Sequence, residues 1–71
     1  MSENYRALFA KKDLVLCYNN LDVLSEWERN FITDIFDSIE VNQYVSYDDL
    51  TTKQFNTLQI IAQDIRKRYE T

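Results

Sequence analysis

Carboxylates are the most plentiful reactive groups in this 71-residue chain, with twelve Asp and Glu against eight Lys and Arg. Five of them, Glu26, Glu28, Asp34, Asp37 and Glu40, fall in one stretch, LSEWERNFITDIFDSIE. On a helix, residues three apart share a face, so Asp34 and Asp37 have the spacing of a chelating pair. Metal-dependent nucleases hold such pairs in a cleft and orient them with supporting hydrogen bonds. On an open helix face the same run is a solvated surface, and Glu28 already has a role in starting the helix. The expectation is therefore no metal site, no cofactor and no catalytic residue. Histidine is absent and Cys17 is the single cysteine, which removes the common tetrahedral zinc sites and any Cys-His nucleophile. Cys17 reads as a small buried hydrophobe. A lone cysteine also fits a reducing compartment.

The chain contains neither Gly nor Pro. Phosphate-cradling loops need glycine and tight hairpins of the primed types favour it, which excludes P-loop and dinucleotide-binding chemistry and argues against an all-β fold. Helices need neither residue if they end on Asn, Ser or Asp. A single small helical domain over residues 1–71 is expected. A chain of this size buries only roughly 60% of its unfolded surface, and one cysteine permits no internal disulfide. Stability must come from helix packing, from a second copy or from a partner. No apolar run approaches the roughly 18 residues of a membrane span. The N-terminus lacks a signal-peptide pattern, since the apolar cluster Leu14–Tyr18 is short and follows Asp13. The expected location is cytoplasmic.

Two helices announce themselves by their caps. Ser25 and Glu28 form an S-x-x-E capping box, and Trp27, Phe31, Ile35 and Ile39 follow at four-residue spacing beside Ile32 and Phe36. That stripe is expected to pack the core, with Glu26, Arg29, Asn30, Thr33, Asp34 and Asp37 opposite. Thr51 and Gln54 form a T-x-x-Q box, with Leu50 placed to staple Phe55. Leu58, Ile61, Ala62, Ile65 and Tyr69 continue that face. Arg66, Lys67 and Arg68 occupy the last turns, where cations suit the helix dipole. Shifted by 26 residues the two patterns coincide, as two amphipathic helices with similar caps do. The expected architecture is an all-α small bundle built on an antiparallel helical hairpin, about 25–39 and 51–69, with an N-terminal helical segment. The linker VNQYVSYDDL is apolar enough to fold back and plug one end. Ahead of the hairpin, Tyr5, Leu8 and Phe9 suit a first helix with Ser2 as its candidate cap. Leu14–Cys17 reads equally as a short helix begun by Asp13 or as a buried extended segment, and Asn19-Asn20 marks a turn.

The motif L-S-x-W-E-R-x-F-I at residues 24–32, with L-T-x-K-Q-x-x-x-L-x-x-I at 50–61, resembles a short helical segment of small bacteriophage and bacterial proteins. That segment occurs often within or beside DNA replication and recombination proteins. Its usual form is L-S-x-W-E-x-x-F-L-x-S-I and then L-S-x-K-Q-x-x-x-L-x-x-I. The likeness runs from Leu24 to about Arg68, and most of it is caps and core positions. It implies a phage-type origin in the neighbourhood of DNA metabolism, which would make the location the host cytoplasm, and it carries no catalytic residue.

Charge is strongly partitioned. Residues 13–52 hold nine acids and the one cation Arg29, whereas each end of the chain carries a net positive charge, within an overall −4. An acidic surface keeps a small protein soluble. It can also dock on a basic groove, where opposite fields speed and orient encounter. Together with the phage-type resemblance, this leads to the expectation of a non-enzymatic protein-binding module. It would modulate, by inhibition, a host or phage nucleic-acid-processing or defence protein with a basic surface. The candidate partner-binding residues are Glu26, Asp34, Asp37, Glu40, Tyr44 and Tyr47. The alternative is a small nucleic-acid-binding accessory protein using Arg66, Lys67 and Arg68, which the net acidity disfavours. A homodimer burying leftover apolar surface such as Phe9, Tyr44 and Tyr47 is a third reading.

Overall fold

The computed structural model describes residues 3–70 and is all-α, with no strand among the described residues. Helix α1 spans Glu3–Tyr18, α2 Glu26–Phe36 and α3 Thr52–Glu70. Single turns of 3-10 helix cover Leu21–Val23 and Tyr47–Asp49, and a π-helical turn, Asp37–Val41, extends α2. The three helices form a compact bundle measuring 34 × 26 × 18 Å.

The N-terminal segment resolves into one continuous helix, so Leu14–Cys17 is neither a separate short helix nor extended. Ser2, the candidate cap, lies outside the described residues. The helix stops at the Asn pair, where Asn20 Nδ2 donates to the Leu16 carbonyl at 2.8 Å and the Asn19 amide to Val15 at 3.0 Å. The Asn20 side chain thus caps an end carbonyl directly, at φ −129° and without the left-handed residue that glycine supplies elsewhere.

Both anticipated boxes form. The Glu28 carboxylate accepts from the Ser25 amide at 2.9 Å and from its hydroxyl at 3.0 Å. The Thr51 amide donates to Gln54 Oε1 at 2.9 Å, and the Gln54 amide donates back to Thr51 Oγ1 at 3.0 Å. These bonds satisfy first-turn amides that have no partner inside the helix. A third box, unforeseen, closes the 3-10 turn: Asp49 accepts from the Ser46 amide and hydroxyl at 3.2 and 3.0 Å.

α1 packs most closely on α3, then on the 3-10 turn Tyr47–Asp49 and on α2, while α2 and α3 make few direct backbone approaches and meet through the shared core. The helix that the sequence left least defined is thus the centre of the bundle. α1 and α3 run in the same direction, as three contacts in order along them show. Arg6 stacks over the Phe55 ring at 4.8 Å, Arg66 reaches Asp13 at 2.7 Å, and Tyr69 Oη donates to Asn20 Oδ1 at 2.6 Å. Arg6 also donates to the Leu50 carbonyl at 3.3 Å, fixing the entry to α3. The last turn of α1 is tied to the end of α2 by a parallel stack of Tyr18 on Phe36, centroids 3.8 Å apart.

The core comprises Ala10, Leu14 and Cys17 of α1, Ile32, Ile35 and Ile39 around α2, Leu58, Ile61, Ala62 and Ile65 of α3, and the loop residues Leu24 and Leu50. As expected, the linker folds inward, with Val45 and Tyr47 against this core.

Trp27 corrects the expected core stripe, because it is 59% exposed. Four-residue spacing advances the direction of a side chain by about 40° per step on a helix of 3.6 residues per turn. The ladder from Trp27 to Ile39 therefore winds round α2 instead of following one face. Ile32, Ile35 and Ile39 point inward, Phe31 is half-buried, and Trp27 is carried out to solvent, edge-on to Phe31 at 6.5 Å.

Candidate functional site

The end of the bundle where α2 gives way to the linker has the most unusual backbone among the described residues. α2 widens at Asp37–Val41, where the Asn42 amide reaches the Asp37 carbonyl at 2.7 Å in the five-residue step of a π-helix. Such turns are rare and recur at functional sites. Gln43 then takes φ 58°, a left-handed conformation that glycine or asparagine normally occupies. It lets the Tyr44 amide turn back to the Ser38 carbonyl at 2.8 Å. The outcome is that Tyr44 stands 81% exposed and Val41 62% exposed beside Glu40.

Two adjoining depressions flank this corner. One, of about 180 Å³, has Ile35 and Ile39 in its wall and Asp34, Ser38, Asp49 and Gln54 among its polar lining. The other, of about 460 Å³ and open to solvent, lies among Glu40, Tyr44, Ser46, Tyr47 and Asp49. Tyr47 donates its phenolic proton to Glu40. Burial first, then that hydrogen bond and the Glu40 charge, hold the Tyr47 phenol well above its ordinary pKa. Tyr47 therefore remains a neutral donor that fixes Glu40 in place.

Of the residues singled out from the sequence, the fold gathers Asp34, Glu40, Tyr44 and Tyr47 at this end. Asp37 is exposed on the π-turn and lines neither depression. Glu26 is exposed in the first turn of α2, about 20 Å along the helix axis from Glu40. Asp49 belongs to the site and was missed; the S-x-x-D spacing of Ser46 and Asp49 was its signal. No group of three or more metal-ligating side chains occurs among the described residues.

The basic end of α3 is differently disposed. Arg66 is committed to Asp13, which is 4% exposed, and Arg68 lies 3.6 Å from Asp64 one turn earlier. Lys67 is exposed. No helix among the described residues is long and apolar enough to cross a membrane.

The chain matches no protein-family model, no curated protein and no solved structure.

Cys17 lies against the Asp13–Arg66 pair and is fully buried. Burial, then the Asp13 charge, push its thiol from 9.0 up to about 12, with Arg66 pulling the other way. A thiol so raised is not a nucleophile at neutral pH. Below about pH 9 folded and unfolded chains both keep it protonated. Between 9 and 12 only the unfolded chain ionises, so this contribution to stability falls as pH rises. Tyr47, shifted in the same direction, adds to the loss at higher pH. The denaturation midpoint is expected to decline from about pH 9 upward, and Cys17→Ala should flatten the first part of that decline. A midpoint insensitive to alkali in the wild-type protein would contradict this account of the thiol.

Proposed function

We propose that this chain is a non-enzymatic, phage-type protein-binding module whose acid–aromatic end docks on the basic surface of a nucleic-acid-processing or defence protein and inhibits it. The observation that carries the reading is the corner at Glu40–Tyr47. The chain accepts a π-turn and a left-handed non-glycine residue to hold a tyrosine and a valine in solvent beside carboxylates. Exposed tyrosine supplies large, rigid contact area at small entropic cost, and aromatic residues anchor many interfaces. The surrounding acids Asp34, Asp37, Glu40 and Asp49 supply the field that steers a basic partner. The phage-type and inhibitory parts of the reading rest on the resemblance of residues 24–68 and on the acidic partition of the sequence. The nucleic-acid alternative is weaker because Arg66 is committed to the buried Asp13 and the chain carries a net charge of −4.

The test is capture of partners from host lysate by the wild-type protein and by two variants, Tyr44→Ala and Asp34→Lys/Asp37→Lys, followed by binding kinetics with the partner identified. Tyr44→Ala is expected to accelerate dissociation by about tenfold or more. The charge-reversed variant should chiefly slow association, by an amount that shrinks as salt rises. Both sets of residues are exposed, so helix content should persist. Equal capture by all three proteins would remove this end of the bundle from consideration.

A further inference from the structure

α1 is apolar on two sides. Its inner side places Ala10, Leu14 and Cys17 in the core. Its outer side carries Tyr5, Leu8 and Val15, exposed by 63%, 61% and 43%, on one stripe with Lys12 between them. Phe9 borders the stripe and packs edge-on against Tyr5, centroids 4.7 Å apart. Beside it runs an open groove of about 550 Å³ lined by Lys11, Lys12, Val15, Leu16, Asn19 and Arg66. One exposed leucine is ordinary, whereas an apolar stripe along several turns, rimmed by cations, has the form of a docking face.

A surface of opposite charge exists on the same molecule. Trp27 stands out from α2 beside Phe31, with Glu26 and Asn30 exposed next to it and Asp34 two turns further on. Its helix is eleven residues long, about 16 Å. Helix α1 from Tyr5 to its end at Tyr18 is about 20 Å long and accommodates that length. α1 is poorly suited to its own copy, because an α1–α1 contact would bring the lysines of the stripe together. An anionic bilayer is disfavoured by the net charge of −4.

We propose that the outer face of α1 receives the acidic Trp27 face of α2 from a second copy of this chain, so that the protein self-associates. In the proposed dimer each copy offers both faces, so that the contact is made twice about a two-fold axis. This proposal shares Asp34 with the partner reading above but is tested apart from it, because Lys11, Lys12, Glu26 and Asn30 lie outside the Glu40–Tyr47 corner.

Sedimentation equilibrium over a wide concentration range tests it, with circular dichroism to verify that each variant is folded. The wild-type protein is expected to shift from monomer to dimer as concentration rises. Lys11→Glu/Lys12→Glu should weaken the dimer by about tenfold or more, and Glu26→Lys/Asn30→Lys by a similar factor. The decisive sample is the mixture of these two variants. Each then offers the charge that the other has lost, and a heterodimer should form under conditions where neither associates alone. A wild-type protein that stays monomeric throughout overturns the proposal, as does a mixture that fails to associate. Adsorption of a monomeric wild-type protein to anionic phosphatidylserine vesicles would overturn it too and assign the α1 face to lipid.

Discussion

Leu14→Ala is expected to lower stability by about 2–5 kcal/mol, whereas Trp27→Ala lowers it by less than about 1 kcal/mol. The two residues reverse the usual expectation that the single tryptophan of a small protein anchors its core. Leu14 is fully buried on the inner side of α1, the helix that packs on both of the others. Truncating it removes transfer free energy and leaves a cavity that three converging helices cannot close without losing contacts elsewhere. In a small domain, whose whole stability is on the order of 5 kcal/mol, that loss is most of the margin. Trp27 keeps more than half its surface in water, so its removal forfeits the edge contact with Phe31 and little else. Urea denaturation of both variants under monomeric conditions checks the contrast. Equal losses would mean that the indole is buried in solution and that α2 turns Trp27 toward the core.

That ladder marks where sequence reasoning reached its limit. α2 and α3 were legible because their signals are local: capping boxes span three residues, and each buried face repeats within one or two turns. The inward fold of the linker was legible from Val45 and Tyr47 for the same reason. α1 was obscure because it is apolar inside and out, so its residues carry no clear period to separate helix from strand. Trp27 was misplaced because its neighbours at four-residue spacing resemble a stripe over one step and diverge over three. At the candidate site, Glu40, Tyr44 and Tyr47 were found from composition and charge. The π-turn and the left-handed Gln43 that display them depend on how the chain must turn to bring Leu50 under α1, and no short motif encodes that. Asp49 escaped because its partner is Ser46, within a segment read as linker.

Arg66→Met is expected to cost roughly 3 kcal/mol, near the lower end for breaking a buried ion pair because the guanidinium is itself partly hydrated. Asp13 is the buried charged residue among the described residues, and Arg66 reaches it from α3 at 2.7 Å, across 53 positions of sequence. Without the cation, the carboxylate sits beside Leu14 and Cys17 with no opposite charge supplied by Arg66. The companion experiment replaces both partners. Asp13→Leu/Arg66→Met removes the charge along with its counter-charge and should recover most of the loss, since exchanging a buried pair for apolar side chains is often neutral. A double-mutant cycle measured by urea denaturation gives the coupling directly. If Arg66→Met were as stable as the wild-type protein, the pair would be ornamental and Arg66 available for other work. If the coupling is large, phosphate contact by Arg66 requires it to abandon a buried carboxylate, which sets the cations at the end of α3 against the nucleic-acid role that their clustering suggests. The same bond joins the two parallel helices near their C-terminal halves, while Arg6 joins them at the start. Arg6 and Arg66 thus hold α1 and α3 together at both ends.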